Sequence, residues 1–322
     1  MLWAITSYFN PVGYKSRLAN YRTFRKFLAA PLLAVELSFT GSFELQPGDA
    51  DILVQLTGGD VLWQKERLLN VGLRHLPPDC DAVAWLDCDV VFWNDQWSRQ
   101  ARDALNRFSL VQLFSERCNL ARDARLDSTG WSPVESRRRA IGQAIAAGQL
   151  KPDDLRVAGA SVVFGAPTPG LAWAARRTLL DKHGLYDRRI VGAGDRAMIC
   201  AAVGRPDYCV TAQAMTGRAA GHYLAWAEPF SADVGGRISY VEGLVFHLWH
   251  GSYEDRRHGQ RERDLAALGF DPLTDIAVSD TGCWRWNSNK PDLHEYVRSY
   301  FASRNEDGPP AAKAGHVEPF VG

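Results

Sequence analysis

The sequence has no excess of either charge: 37 lysines and arginines face 37 aspartates and glutamates in 322 residues. No global field therefore draws the chain to nucleic acid or an anionic membrane, and any polyanion must be bound locally. The six cysteines (Cys80, Cys88, Cys118, Cys200, Cys209 and Cys283) include no Cys-x-x-Cys pair. That argues against a zinc cage and a disulfide-stapled secreted scaffold, and reduced thiols are expected. No apolar run approaches the roughly 20 residues needed to cross a bilayer. The N-terminal stretch has no basic region and breaks at Pro11, so neither a leader nor a membrane span is expected, and a soluble, cytoplasmic enzyme is predicted. No internal repeat is found.

What is present is 46% hydrophobic and 11% aromatic residues, enough for a large core. Short apolar runs alternate with helical patterns, which predicts a mixed, mainly parallel α/β sheet flanked by helices. Strands are expected over 2–6, 32–37, 51–56, 82–86 and 109–114. A helix between the third and fourth places Leu62, Leu68, Leu69 and Leu73 on one face and stops at Pro77 and Pro78. Residues 116–154, polar and rich in arginine, read as an insertion or lid, helical over 133–147. Beyond it come a strand over 160–164, a helix over 171–183, a strand near 243–248, and helices about 255–268 and 292–303. One domain over 1–304 and a flexible tail over 305–322 complete the expected organisation.

The sharpest chemical signal is Trp85-Leu86-Asp87-Cys88-Asp89-Val90-Val91-Phe92, an apolar strand ending in two carboxylates that project from one face. In open parallel sheets ligands bind beyond the carboxyl ends of the strands, where a divalent ion holding a diphosphate would satisfy both acids. An ordinary acidic turn is the alternative. Upstream, Trp63-Gln64-Lys65-Glu66-Arg67-Leu68-Leu69-Asn70-Val71-Gly72 puts Lys65 beside the packing residues Leu62 and Leu69. An ammonium there must either snorkel to solvent or reach a crevice and an anion.

Lys-Glu-Arg-Leu-Leu-Asn-Val-Gly followed by Leu-Asp-Cys-Asp-Val resembles the paired motifs of the β-1,4-galactosyltransferase family, Arg-Ala-x-Leu-Leu-Asn-Val-Gly and Asp-Val-Asp. The resemblance implies a GT-A, Rossmann-like fold and an inverting, manganese-dependent enzyme that uses a UDP-sugar. It further implies that Lys65 stands where the family has a nucleotide-contacting arginine, that Asp87 lies near the nucleotide, and that Asp89 ligates the metal. Asn70 of the same motif is grouped with the donor contacts. The end of the first strand, with Thr6, Tyr8 and Asn10, is expected to line the base and ribose pocket, Tyr8 offering a stacking face.

Gly170-Leu171-Ala172-Trp173, Gly184-Leu185-Tyr186-Asp187 and Gly192-Ala193-Gly194-Asp195 resemble the family's acceptor segment, which ends in Gly-Trp-Gly-Gly-Glu-Asp. Asp195 is thereby the expected base for an acceptor hydroxyl, with a helix N-cap as its bland alternative. Gly243-Leu244-Val245-Phe246-His247-Leu248-Trp249-His250-Gly251 delivers His247 and His250 to a strand end, resembling the family's Met-x-x-His metal pair. Positions three apart on a straight strand face opposite ways, so joint ligation of Mn²⁺ or Mg²⁺ requires a bend, the alternatives being that one histidine bridges to a β-phosphate or packs in the core. Trp284 and Trp286, with Arg285 between them, are a candidate stacking wall for an acceptor, with core packing as the commoner alternative.

The sequence thus predicts a metal-dependent, nucleotide-sugar glycosyltransferase acting on a saccharide or other hydroxyl-bearing acceptor. Three alternatives stay open: a retaining GT-A transferase, a non-catalytic nucleotide-sugar-binding subunit, and a nucleic-acid glycosyltransferase. The last, with a DNA acceptor, is the less favoured and would rest on basic stretches such as Arg137-Arg138-Arg139.

Overall fold

The structure, a computed structural model, describes residues 1–127, 130–154 and 167–308. Strand β1 (Leu2–Phe9) leads through helix α1 (Lys15–Phe27) to β2 (Leu32–Leu37), β3 (Ile52–Leu56), α2 (Lys65–Leu73) and β4 (Ala82–Leu86). Then come β5 (Val90–Phe92), α3 (Trp97–Ala104), β6 (Leu110–Gln112) and a hairpin of β7 (Glu116–Asp127) and β8 (Gly130–Arg139). Next are α4 (Ile141–Ala146), β9 (Ala172–Arg176), α5 (Arg177–His183), α6 (Gly194–Ala202), α7 (Pro206–Ala212) and α8 (Gly217–Val234). The chain closes with β10 (Ile238–Tyr240), β11 (Leu244–His247), α9 (Gln260–Ala267), β12 (Ile276–Val278), β13 (Trp284–Trp286) and α10 (Pro291–Ser303).

Seven strands form the central sheet in the order β10-β6-β9-β4-β1-β2-β3. Within it β9 runs antiparallel to both neighbours, and the other pairings are parallel. Alternation along each strand feeds two cores. Val83 and Trp85 of β4 join Leu68, Leu69, Met198 and Tyr223 on one face, while Ala82, Ala84 and Leu86 meet Tyr21, Phe24 and Trp97 on the other. Burial on both faces is why these strands read as unbroken apolar runs. The predicted mixed, mainly parallel α/β sheet flanked by helices is the fold adopted.

The pairing of Thr6 with Leu86 levels the carboxyl ends of β1 and β4. Ser7 and Asp87 therefore emerge side by side at one edge, the crevice where parallel sheets take ligands. A second sheet, ordered β5-β11-β7-β8, brings the end of β11 to the same edge through antiparallel pairing of His247 with Val90.

Three expectations are corrected. The insertion is mainly β-structure: β7 and β8 occupy most of it, and its one α-helix among the described residues is the short α4. Pro133, read as a helix start, sits where the β7–β8 register shifts, the place a strand tolerates a residue without an N–H. The helix expected over 171–183 begins only at Arg177, because Ala172–Arg176 is inserted as a strand between β4 and β6. Its alanines are helix formers, but a slot buried on both faces outweighs local propensity. Finally, residues 305–308 are no free tail. Glu306 is 0% exposed, and the Asp307 carboxylate accepts hydrogen bonds from the backbone N–H of Lys15 and Ser16 at 3.1 and 2.8 Å. It caps the start of α1 from the far end of the chain. The strand expected over 160–164 and the tail beyond 308 lie outside the described residues. Among the described residues no helix is long and apolar enough to cross a membrane, and all six cysteines are free.

Candidate active site

A cavity of about 700 Å³ opens at this edge, bordered by Lys65, Asp87, Asp89, Asp195, His247 and His250. Two clusters face into it.

In the first, Asp89, His247 and His250 present ligand atoms that all lie within 4.8 Å of one another. The bend needed for both histidines is present. Strand β11 ends at His247, the chain turns at Gly251 with φ +92°, and the two rings come to 4.6 Å at 69°. A Cβ at Gly251 would stand 2.4 Å from the Arg304 carbonyl oxygen, so the turn requires glycine. His247 Nδ1 lies 3.1 Å from Asn119 Oδ1, and His250 Nδ1 lies 3.0 Å from the Leu248 carbonyl. With its Nδ1–H donating to Asn119, His247 keeps a lone pair on Nε2, 3.6 Å from Asp89 Oδ1, while the His250 nitrogen that faces Asp89 is Nδ1, 3.3 Å from Oδ2. Burial holds both imidazoles well below the usual histidine range, so they are neutral and able to ligate. Asp89 Oδ1 is sealed from solvent without a hydrogen-bond partner among the described residues. Burial, then the neighbouring Asp87 carboxylate, pushes this acid up to about 7. One orphaned carboxylate oxygen beside two neutral imidazoles is a donor set that fits a divalent ion.

In the second cluster, Lys65 Nζ lies 2.5 Å from Asp87 Oδ1 and 3.2 Å from Asp195 Oδ2. Burial pulls the Lys65 ammonium down, but Asp195 and Asp87 outweigh it and hold it charged. Asp87 is raised by burial against the opposing pull of Lys65. Asp195 occupies the first turn of α6, whose N-cap position is Ala193 in the left-handed region at φ +73°. It is therefore not the N-cap, and its carboxylate lies where the helix dipole favours negative charge.

A Cβ on Gly170 would meet Asp195 Oδ2 at 2.3 Å. The Gly170→Ala variant is thus expected to push this carboxylate off Lys65 and lower turnover roughly 100-fold, the usual cost of about an ångström of misplacement. Unaltered turnover would show that the position of Asp195 does not matter.

No protein-family model matches the chain, and no curated protein matches it. Solved structures do resemble it in architecture. The S. aureus TarS 1-349 structure in complex with UDP-GlcNAc gives a TM-score of 0.39 at 11% identity, covering 94% of this chain and 72% of that one. The catalytic domain of Drosophila β1,4-galactosyltransferase 7 in complex with xylobiose gives 0.34 at 10% identity, covering 92% and 98%.

Other expected contacts fall elsewhere. Thr6 is fully buried and donates to the Leu86 carbonyl at 2.7 Å, holding β1 to β4. Tyr8 borders the cavity, but its ring is buried edge-on against Tyr21 and its hydroxyl donates to Glu44 at 2.7 Å. It has no free stacking face. Asn10 closes the turn after β1, accepting from Tyr14 N–H at 2.9 Å and donating to Glu44. Asn70 clamps Leu185 through both its backbone N–H and its carbonyl. The Trp284 and Trp286 wall is also corrected. Trp284 is core, 1% exposed beneath Arg67 and Arg188, and Trp286 stacks on His294 at 4.0 Å.

Of the basic stretch Arg137-Arg138-Arg139, Arg138 borders the cavity; sequence reasoning missed Arg17, Arg117, Arg256 and Arg304. Arg17 and Arg304 border the cavity and grip Glu306 between them at 2.5 Å each. Arg117 and Arg256 border it too. The only signal for Arg117 was its place two residues before Asn119 on one strand face, legible only once 116–127 is known to be a strand.

Proposed function

We propose that the chain is a metal-dependent glycosyltransferase that moves a sugar from a UDP-sugar to an acceptor hydroxyl with inversion. The observation that carries this reading is one cavity with two opposed groups: an Asp-His-His donor set and, facing the same space, the Lys65–Asp87–Asp195 cluster. The choice of UDP comes from the motif resemblance.

In this reading Asp89, His247 and His250 hold Mn²⁺ or Mg²⁺. A divalent ion there supplies charge neutralisation to the departing nucleotide. Asn119 and the Leu248 carbonyl fix the ring orientations, so the site is organised before ligands arrive. Asp195 takes the proton of the acceptor hydroxyl, and Lys65, 3.2 Å from its Oδ2, keeps that carboxylate aimed until the acceptor binds. Acceptor attack from the face opposite the nucleotide inverts the anomeric centre. A product with retained configuration would transfer Asp195 to an orienting role.

The test is thermal stabilisation by a panel of nucleotides, with and without Mn²⁺, in the wild type and Asp89→Ala. Binding to the native state alone stabilises by about 2.7 kcal/mol at a hundredfold excess over Kd. That gain is expected for a uridine diphosphate with Mn²⁺ in the wild type, and its loss is expected in Asp89→Ala. No gain from any nucleotide under either condition would remove the donor-site reading.

A further inference from the structure

The cationic side chains around the cavity differ in what neutralises them. Lys65 is paired by Asp87 and Asp195, and Arg17 and Arg304 share Glu306. Arg117 and Arg256 are different: among the described residues neither forms an ion pair. Arg117 is half-buried, and its Nε is sealed from solvent with no hydrogen-bond partner among the described residues. Among the described residues Arg256 reaches only the carbonyl oxygens of Ser252 and Gly251, at 3.4 and 3.2 Å. Burial, and then the like charges of Arg138 and Arg256, pull Arg117 down to about 10. Guanidinium groups withdrawn from water without a carboxylate are costly, which makes them suited to an anion that arrives later.

Their position says where that anion goes. Arg117 shares a strand face with Asn119, whose side chain touches His247. Arg256 borders the same cavity as Asp89 and donates to the carbonyl of Gly251, the residue after His250, at 3.2 Å. Both therefore flank the Asp89–His247–His250 cluster.

We propose that Arg117 and Arg256 form an oxyanion clamp, a site for a phosphate group beside that cluster. The proposal rests on the donor-site reading above, and its charge count explains why two arginines are there. A divalent ion with Asp89 leaves one positive charge, and the two guanidinium groups bring the total to three. A sugar diphosphate donor carries two negative charges. When the bond from the anomeric carbon to the phosphate oxygen breaks, its electron pair stays on that oxygen and the diphosphate carries three. The new bond forms from the acceptor oxygen to the anomeric carbon, and the acceptor's proton passes to Asp195. The clamp thus matches the departing diphosphate better than the intact donor, the condition for lowering a barrier rather than merely binding substrate.

The test uses Arg117→Gln, Arg256→Gln and the double variant, with calorimetric titration of Mn²⁺, inorganic pyrophosphate with Mn²⁺, and UDP with Mn²⁺. Each single variant is expected to lose at least about tenfold in pyrophosphate and UDP affinity, with Mn²⁺ affinity unchanged. Removing unpaired buried charge should not lower Tm, so a folding defect is separable from a binding one. A second arm titrates inorganic phosphate into enzyme saturated with UDP and Mn²⁺. Phosphate binding there in the wild type, absent in the variants, supports the clamp and assigns it to a phosphate on the acceptor. Unchanged pyrophosphate and UDP affinity together with no phosphate binding overturns it. If the wild type binds pyrophosphate through these arginines but ignores UDP, the clamp stands and the UDP-sugar reading falls. If it binds UDP and the variants bind it equally, with no phosphate uptake in the second arm, only the clamp falls.

Discussion

Asp195→Asn is expected to lower sugar transfer by roughly 10²- to 10⁴-fold, the usual contribution of a positioned general base. The substitution is isosteric and keeps an oxygen near Lys65, while Asp87 at 2.5 Å continues to pair the ammonium. Nucleotide and metal binding should therefore survive within about twofold by calorimetry. That split separates a base from a structural carboxylate, since loss of a structural group would lower Tm and binding together. A variant that transfers sugar at the wild-type rate would remove Asp195 from the chemistry.

Glu306→Ala should be the most damaging single change to stability. Its carboxylate is 0% exposed and bridges Arg17 of α1 to Arg304, which follows α10. Truncation leaves two buried guanidinium groups facing each other, for a cost of about 3–5 kcal/mol. Glu306→Gln, which keeps some of the hydrogen bonds, should lose less. The same network predicts an acid limb. Burial raises the Glu306 carboxyl, but Arg17 and Arg304 outweigh it and hold the group down at about 2. A group depressed in the folded state adds stability above its unfolded value, near 4.3. That contribution is lost as pH falls from there towards 2. Denaturant unfolding at several pH values should show the wild type losing stability over this window and Glu306→Ala losing less. Parallel pH dependences would show that the bridge does not hold the two elements together.

The histidine pair shows how far sequence reasoning reaches. An apolar strand ending His-Leu-Trp-His beside a glycine states that two ligand-capable groups arrive at a strand end. Whether they converge depends on a turn whose tightness is set by the Arg304 carbonyl oxygen packed against Gly251. Lys65 was legible for a similar reason: an ammonium on a packing face must find an anion, and two carboxylates meet it. Thr6, Asn10 and Asn70 have side chains equally able to bind a ligand or their own backbone. Nothing local distinguishes the two uses, and the backbone takes all three.

The sequence by itself determined the parallel strands, through apolar runs that only two-sided burial explains, and it marked Asp87, Asp89, Asp195, His247 and His250 as the chemical groups. Only the tertiary structure decided the rest. It turned an arginine-rich segment into a hairpin because its pairing partner, β11, lies more than a hundred residues away. It turned an alanine run into a strand because the slot between β4 and β6 needed one. It folded an apparent tail back so that Asp307 caps α1 and Glu306 bridges two arginines. Local patterns report which face a residue shows, but charge neutralisation and strand pairing are set by partners distant in sequence, and those arginines gained a function only once the chain had closed around them.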